Sequence, residues 1–223
     1  MLLGVTPQLA RLGGDLTAVD NSPKMLAQVW PGDAADRRAI LADWTALPFA
    51  AGEFDAVIGD APLNAAPHHA EIVVTEVTRV LGPNGRFVFR AFCSPETSES
   101  LQAIEDDAFE GRAGNFHALK WRIAMALAAS RPAAIVAVSD ILAAFNALFP
   151  DRSKLASRTG WPMEQIETVD AYVGADHSLS FPTLRSILDL IGARFSEAAV
   201  INAEGYPLAE RCPTLVGASP RAD

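Results

Sequence analysis

Apolar residues in the first ninety positions fall into short runs separated by turn chemistry and by stretches with helical spacing. Leu2-Leu3-Gly4 reads as the end of a first strand, and Pro7–Leu12 as the start of a helix. Leu16–Val19 is a second strand that ends in Asp20. Ser22 is a good N-cap and Pro23 suits the first helical position, which predicts a helix from Pro23 to about Val29. Ala39–Leu41 and Ala56–Gly59 read as the third and fourth strands. Glu71–Leu81 then puts Ile72, Val73, Val77, Val80 and Leu81 on one helical stripe. Pro83-Asn84-Gly85 is turn chemistry, because proline presets its φ while Asn and Gly tolerate positive φ. Phe87–Phe92 is the fifth strand. Alternating strands and helices predict a parallel sheet with right-handed crossovers, and ligands of such sheets sit beyond the carboxyl ends of the strands.

The pattern changes after the fifth strand. Residues 95–178 look helical, with candidates at Glu99–Ala108 and at Asn115–Ala129, the latter carrying Phe116, Leu119, Ile123, Ala126 and Leu127 on one face. A third helix is predicted over Asp140–Phe149, with Ser139 as N-cap and Pro150 as stop. Ser180-Phe181-Pro182 opens a helix to about Ile191, and Phe195–Ile201 and Thr214–Gly217 read as two closing strands. The tail from Ser219 to Asp223 is expected to fray.

Composition narrows the class. With 50% hydrophobic and 20% charged residues in 223, the chain is of ordinary globular make-up. No apolar run is long enough to span a bilayer, and no basic stretch precedes an apolar one at the start, so neither a membrane nor a secretory segment is expected. Cys93 and Cys212 fit no metal spacing and read as buried thiols of a reducing, cytoplasmic setting. The net charge of −9, without a dense block of Lys or Arg, disfavours nucleic acid as partner. A small molecule or a protein side chain is the better expectation, with a small molecule taken as the substrate, and nothing in the pattern specifies the oligomeric state or a metal site.

Four segments carry the chemistry: Asp20 running into Asn21-Ser22-Pro23-Lys24-Met25-Leu26; Asp43-Trp44 before Leu47-Pro48; Phe54-Asp55-Ala56-Val57-Ile58-Gly59-Asp60; and Val80-Leu81-Gly82-Pro83-Asn84-Gly85-Arg86-Phe87. In this order and at this spacing they resemble class I S-adenosylmethionine-dependent methyltransferases. The resemblance covers about residues 1–93 and returns at 180–218. It implies an α/β fold, a doubly wound, seven-stranded, Rossmann-like methyltransferase sheet with its last pair antiparallel and a helical insertion after strand five. It also implies S-adenosylmethionine as cofactor, with residues 1–94 and 179–218 as the binding domain. Residues 95–178 then read as a lid that forms the substrate pocket.

Under this resemblance Asp20 accepts hydrogen bonds from the ribose hydroxyls, with Asn21 and Met25 beside it. Asp43 takes the adenine amino group, Trp44 forms an apolar wall, and Asp60 ends the fourth strand at the mouth where the reactive methyl points. The family's glycine-rich loop after strand one is here Gly4-Val5-Thr6-Pro7-Gln8: only Gly4 matches, and Thr6 offers a hydroxyl contact instead. The chain also begins almost on that loop, which raises the expectation of a truncated or mis-started version of a longer protein.

A sulfonium methyl is already electrophilic, so positioning can supply much of the acceleration, and a base is needed only for a protonated nucleophile. His68 and His69 are candidates for that base, with His117 and His177 in the helical segment as further ones. Arg90, ending the fifth strand, either faces the pocket to hold an acidic group or pairs with Asp60. Lys120 and Arg122 sit two apart, hence on different helix faces, so at most one lines a pocket. Tyr172 and Trp161 either wall an aromatic-tolerant pocket or cover the core edge.

Two other readings stay open. One is a methyltransferase-like protein, catalytically impaired, that serves as a binding or regulatory module. The other is a nicotinamide-dependent oxidoreductase, for which the G-x-G-x-x-G that should precede the helix is absent. A nucleic-acid methyltransferase fits less well, since Asp60-Ala61-Pro62-Leu63 poorly matches the acid-or-amide, proline, proline, aromatic run expected after its fourth strand.

Overall fold

The computed structural model describes residues 1–12 and 14–221. The chain divides into two compact units. One comprises Met1–Ala91, Arg185–Asn202 and the stretch from Pro213 onward; the other comprises Phe92–Leu184 and Ala203–Cys212.

Among the described residues of the first unit, seven strands form one sheet: β1 (Leu2–Leu3), β2 (Leu16–Asp20), β3 (Arg37–Leu41), β4 (Phe54–Asp60), β5 (Leu81–Arg90), β8 (Phe195–Ile201) and β9 (Thr214–Pro220). Their order is β3-β2-β1-β4-β5-β9-β8. The first five run parallel, while β9 is antiparallel to both β5 and β8. Leu2 pairs with Ala18 on one side and Ile58 on the other, so β1 is central, and both its leucines are buried. Every position of β2 is buried too. Strands covered on both faces read as nearly continuous apolar runs; Leu2-Leu3 does, and β2 does apart from Thr17 and its terminal Asp20.

Helix α1 (Pro23–Gln28) starts as the cap chemistry predicts, with Ser22 Oγ accepting from Met25 N at 3.3 Å. A 3₁₀ turn at Leu9–Arg11 replaces the longer helix expected over Pro7–Leu12. Leu9, Ala10, Leu26, Val29 and Trp30 pack with Leu2, Val5, Leu16 and Ala18 in one apolar cluster. Two further helices follow β4, α2 (Pro62–Ala65) and α3 (Ala70–Val80), the latter burying Val73, Val74, Val77 and Val80.

The Pro83–Gly85 turn lies within β5. Phe54 pairs with Leu81 and Ala56 with Arg86, so residues 82–85 bulge out against a single residue of β4. No positive φ is used at Asn84 or Gly85. Gly85 is needed for room: a Cβ there would lie 2.9 Å from the Gly82 carbonyl oxygen and from Leu81 Cβ.

The second unit contains α4 (Leu101–Phe109), α5 (Phe116–Ala128), β6 (Ile135–Ala137), α6 (Val138–Leu148), α7 (Arg152–Thr159), α8 (Met163–Glu167) and β7 (Ser178–Ser180). Its core holds Ile104, Phe116, Leu119, Ile123, Phe145 and Phe149, with Phe145 5.5 Å from Phe116 and 5.4 Å from Phe149 between ring centroids. Two starts differ from expectation. Ser139 is not the cap of α6: β6 runs straight into the helix, and Val138 N donates to the His177 carbonyl. Ser180 does not open a helix either. It ends β7, which pairs antiparallel with β6, and Phe181 N donates to the Ala134 carbonyl at 2.9 Å, so α9 (Leu184–Arg194) begins later.

Cys93 and Cys212 are both buried, and burial, aided by the neighbouring Cys212, pushes the Cys93 thiol up to about 12. Ser219 and Pro220, expected to fray, belong to β9, where Pro220 pairs with Phe195. Ala222 and Asp223 lie outside the described residues. No helix among those described is long and apolar enough to cross a membrane.

Candidate functional site

The carboxyl ends of β1 and β2 bring Gly4, Asp20 and Trp44 together. Gly4 follows β1 with φ +90°, a conformation open to glycine and strained for other residues. Its N–H donates to the Val19 carbonyl at 2.8 Å, and that oxygen also accepts from Trp44 Nε1 at 2.7 Å. A Cβ on Gly4 would lie 3.8 Å from Trp44 Cζ2 and 4.0 Å from Asp20 Oδ2. The bare Cα therefore faces a small cradle walled by an indole edge and a carboxylate oxygen.

Asp20 is 9% exposed, and its Oδ1 accepts from Ser22 N at 2.8 Å. Burial raises its pKa above the usual aspartate value, more than the Ser22 bond lowers it. A buried carboxylate with so little compensation favours further donors. A vicinal diol supplies two. Asn21 follows it directly and Met25 lies in α1, and both are exposed.

Asp43 is exposed and closes a local turn, its Oδ1 accepting from Thr45 N at 2.8 Å and Thr45 Oγ1 at 2.7 Å. Those two bonds, the backbone one first, hold its pKa below the usual value, and the charge of His69 adds to the effect. His69 thus lies near the Asp43 loop, at the N-terminal end of α3. It and His68 are exposed, with ring centroids 6.5 Å apart.

A second group gathers at the ends of β4 and β5. A cavity of about 570 Å³ is lined by Thr6, Gln8, Ile58, Asp60, Arg90 and Thr214, among others. Arg90 pairs with Asp60 through Nε–Oδ1 at 2.7 Å and Nη2–Oδ2 at 2.9 Å, so of its two expected partners it takes the one next door. His68 and His69 are not in this lining. Gln8 and Thr214 are the polar lining residues that a site reading of the sequence misses. Gln8 stands where the family's loop has a glycine. Thr214 opens the antiparallel strand β9, whose first residue necessarily lies at the edge where the parallel strands end. Among the described residues, no group of three or more His, Cys, Asp or Glu side chains has the arrangement of a metal site.

This strand order, with its acid after β2 beside a positive-φ glycine, accompanies a match to the family described as Methyltransferase domain over residues 4–89. The matched domain and the fold are those of class I S-adenosylmethionine-dependent methyltransferases, a family whose cofactor is S-adenosylmethionine. One curated relative is the demethylmenaquinone methyltransferase of Mycolicibacterium vanbaalenii, 34% identical over 161 residues. That alignment takes in 70% of this chain and 62% of the relative, so the match spans less than two thirds of the relative's length. Among solved structures, a SAM-dependent methyltransferase from Methanosarcina mazei superposes with a TM-score of 0.51 at 13% identity, covering 98% of this chain and 90% of the other. A possible exported protein from Bordetella parapertussis gives 0.52 at 14% identity, over 99% and 62%. At these identities the two structures speak for the fold alone.

The residues present fit the adenosyl cofactor at one end in particular. The Gly4 cradle and the under-compensated Asp20 carboxylate suit a ribose, and Trp44 suits an adjoining flat base. When bound, S-adenosylmethionine supplies an electrophilic methyl group.

Proposed function

We propose that this protein is a methyltransferase that moves the methyl group of S-adenosylmethionine to a small molecule. The observation that carries the reading is Asp20, a buried carboxylate at the end of β2 with one backbone donor, facing the bare Cα of Gly4. In this reading Asp20 holds the ribose hydroxyls, with Asn21 and Met25 alongside. Asp43 and Trp44 hold the adenine, Gly4 and Thr6 line the approach, and Asp60 stands toward the methyl-bearing end. Arg90 fixes Asp60 through its two-point pair and turns its charge toward the cavity. His68 and His69, exposed beside the Asp43 loop, remain the base candidates for an acceptor that arrives protonated. The acidic net charge, without a dense block of Lys or Arg, disfavours nucleic acid as the substrate. The relative named for demethylmenaquinone points the acceptor search toward aromatic compounds.

The test is a thermal shift with S-adenosylmethionine, S-adenosylhomocysteine and NAD side by side, with Asp20→Ala as control. Saturation at about a hundred times the dissociation constant adds about 2.7 kcal/mol, a rise of about 5–10 °C for a protein of this size. A rise with the adenosyl compounds that Asp20→Ala abolishes is the expected result. No rise with either would overturn the enzyme reading in favour of a binding module.

A further inference from the structure

The helical unit carries a cluster of chemistry that the cofactor site leaves unused. His117, Lys120 and Trp121 share one side of α5 by their i, i+3, i+4 spacing. Lys120 Nζ lies 4.6 Å from the centroid of the Trp121 ring and 5.3 Å from that of Tyr172. Trp121 is held in turn by Phe92 at 4.9 Å and Phe181 at 6.0 Å between ring centroids, and Tyr172 by His177 at 6.2 Å.

Lys120 differs from its neighbours in what it lacks. Arg122, two residues on, is occupied by Glu99 and Asp107. Among the described residues, no carboxylate acts on Lys120: burial is the one influence on its titration, and it lowers the pKa. In a chain with 27 acidic and 18 basic side chains, a half-buried cation surrounded by rings rather than acids is a local inversion of the overall charge. Aromatic faces hold an ammonium without neutralising it. The positive charge stays available to an incoming anion. His117, whose pKa burial lowers first and Lys120 second, is disfavoured as a competing cation.

We propose that Lys120, Trp121 and Tyr172 form a binding site for a flat aromatic small molecule that carries an ionised hydroxyl or carboxylate. The ammonium takes the anionic oxygen, and the two rings take the aromatic face. The inference concerns the helical unit alone and does not depend on the methyltransferase reading above.

The test is calorimetry on the full chain with saturating S-adenosylhomocysteine. The probes are 3-hydroxy-2-naphthoate, its neutral carboxamide and cyclohexanecarboxylate. The naphthoate is expected to bind at least about tenfold more tightly than either of the others. Lys120→Met should bring naphthoate and amide to within about twofold, and Lys120→Arg should keep most of the preference. Both variants should bind S-adenosylhomocysteine like the parent, which certifies their folding. No naphthoate binding, equal binding of naphthoate and amide to the parent, or a preference unchanged in Lys120→Met would each overturn the proposal. If the parent ignores S-adenosylhomocysteine yet shows a Lys120-dependent preference for naphthoate, the site stands and the proposed function falls.

Discussion

Glu76 and Arg79, one turn apart on α3, are joined at two points, Arg79 Nε to Glu76 Oε1 at 2.9 Å and Arg79 Nη2 to Oε2 at 2.8 Å. The same pair grips the loop after Trp44. Arg79 donates to the Phe49 and Leu47 carbonyls at 2.7 and 2.9 Å, and Glu76 Oε2 accepts from Leu47 N at 2.8 Å. The Arg79 hydrogen bond is the largest cause holding the Glu76 carboxyl below its usual range. Neither side chain needs to touch the cofactor to matter to it: they anchor the segment that follows Asp43 and Trp44.

Arg79→Met removes both carbonyl contacts and leaves Glu76 without its cation. Bonds to charged groups contribute about 1.5–3 kcal/mol each, but this pair is partly exposed and the arginine is flexible. A net destabilisation of about 1–2 kcal/mol is expected. The informative readout is the dissociation constant for S-adenosylhomocysteine, which should weaken in Arg79→Met and recover partly in Arg79→Lys. An unchanged constant in a destabilised variant would show that the loop grip serves folding alone.

Gly59 sits under the ring of Pro62, where an added Cβ would lie 2.7 Å from Cγ and 3.1 Å from Cδ. Gly59→Ala should therefore cost about 1–3 kcal/mol, the range for overpacking a filled site. Shortening the neighbour in Gly59→Ala/Pro62→Ala should return most of that loss, a non-additivity expected of residues in contact. Urea midpoints of the four proteins in the cycle decide it. Additive losses would mean that the strand, rather than the proline ring, rejects the methyl group.

Arg122 lies between two carboxylates, Glu99 and Asp107, and Glu99 also pairs with Arg211 at 2.6 Å. Burial is the largest influence on Glu99 and pushes it up, but bonds from Arg122 and Arg211 outweigh it and leave the pKa lowered. Asp107 is lowered chiefly by Arg122. Acids with depressed folded pKa values give stability that is present above their unfolded pKa and lost as pH falls through the folded one. The urea midpoint should hold from pH 7 to about 5 and decline below about pH 4. Arg122→Met is expected to cost about 3 kcal/mol at pH 7, the low end for breaking a buried pair, because both carboxylates keep some exposure. It should also flatten the acid limb. A variant with the parent's acid limb would show that other carboxylates set it.

What the sequence reveals, and what it hides, follows the range of the interactions. The Ser22-Pro23 start of α1 is legible because its cap is local. Asp20 and Asp60 are legible as edge residues because strand ends follow from the apolar runs. Ser139 misleads as a cap because the true start of α6 is set by β6 and by a bond from Val138 to His177, 39 residues away. Spacing separates Lys120 from Arg122 on α5, yet only the fold shows that Glu99 and Asp107 occupy one and that aromatic rings surround the other. Thr214 reaches the cavity through an antiparallel strand paired across more than a hundred residues, which no local pattern encodes.

Asp20 sets folding against binding. Its carboxyl is raised above the usual aspartate value, by burial first. An acid with a raised folded pKa loses stability as pH climbs from its unfolded value through its folded one, and the deficit persists at neutral pH. Asp20→Asn keeps an oxygen for Ser22 N and removes the buried charge, so without ligand it should melt at the parent's temperature or higher at pH 7. The difference should close below about pH 4, where the carboxyl is protonated in both states. With cofactor the order should reverse, because the amide presents two donors where a diol needs acceptors. S-adenosylhomocysteine at about a hundred times its dissociation constant should add about 2.7 kcal/mol to the parent and far less to the variant. Melting curves that cross in this way identify Asp20 as a residue kept for its ligand. A variant that melts lower without ligand and retains the full shift would make the carboxylate structural and remove the ribose assignment.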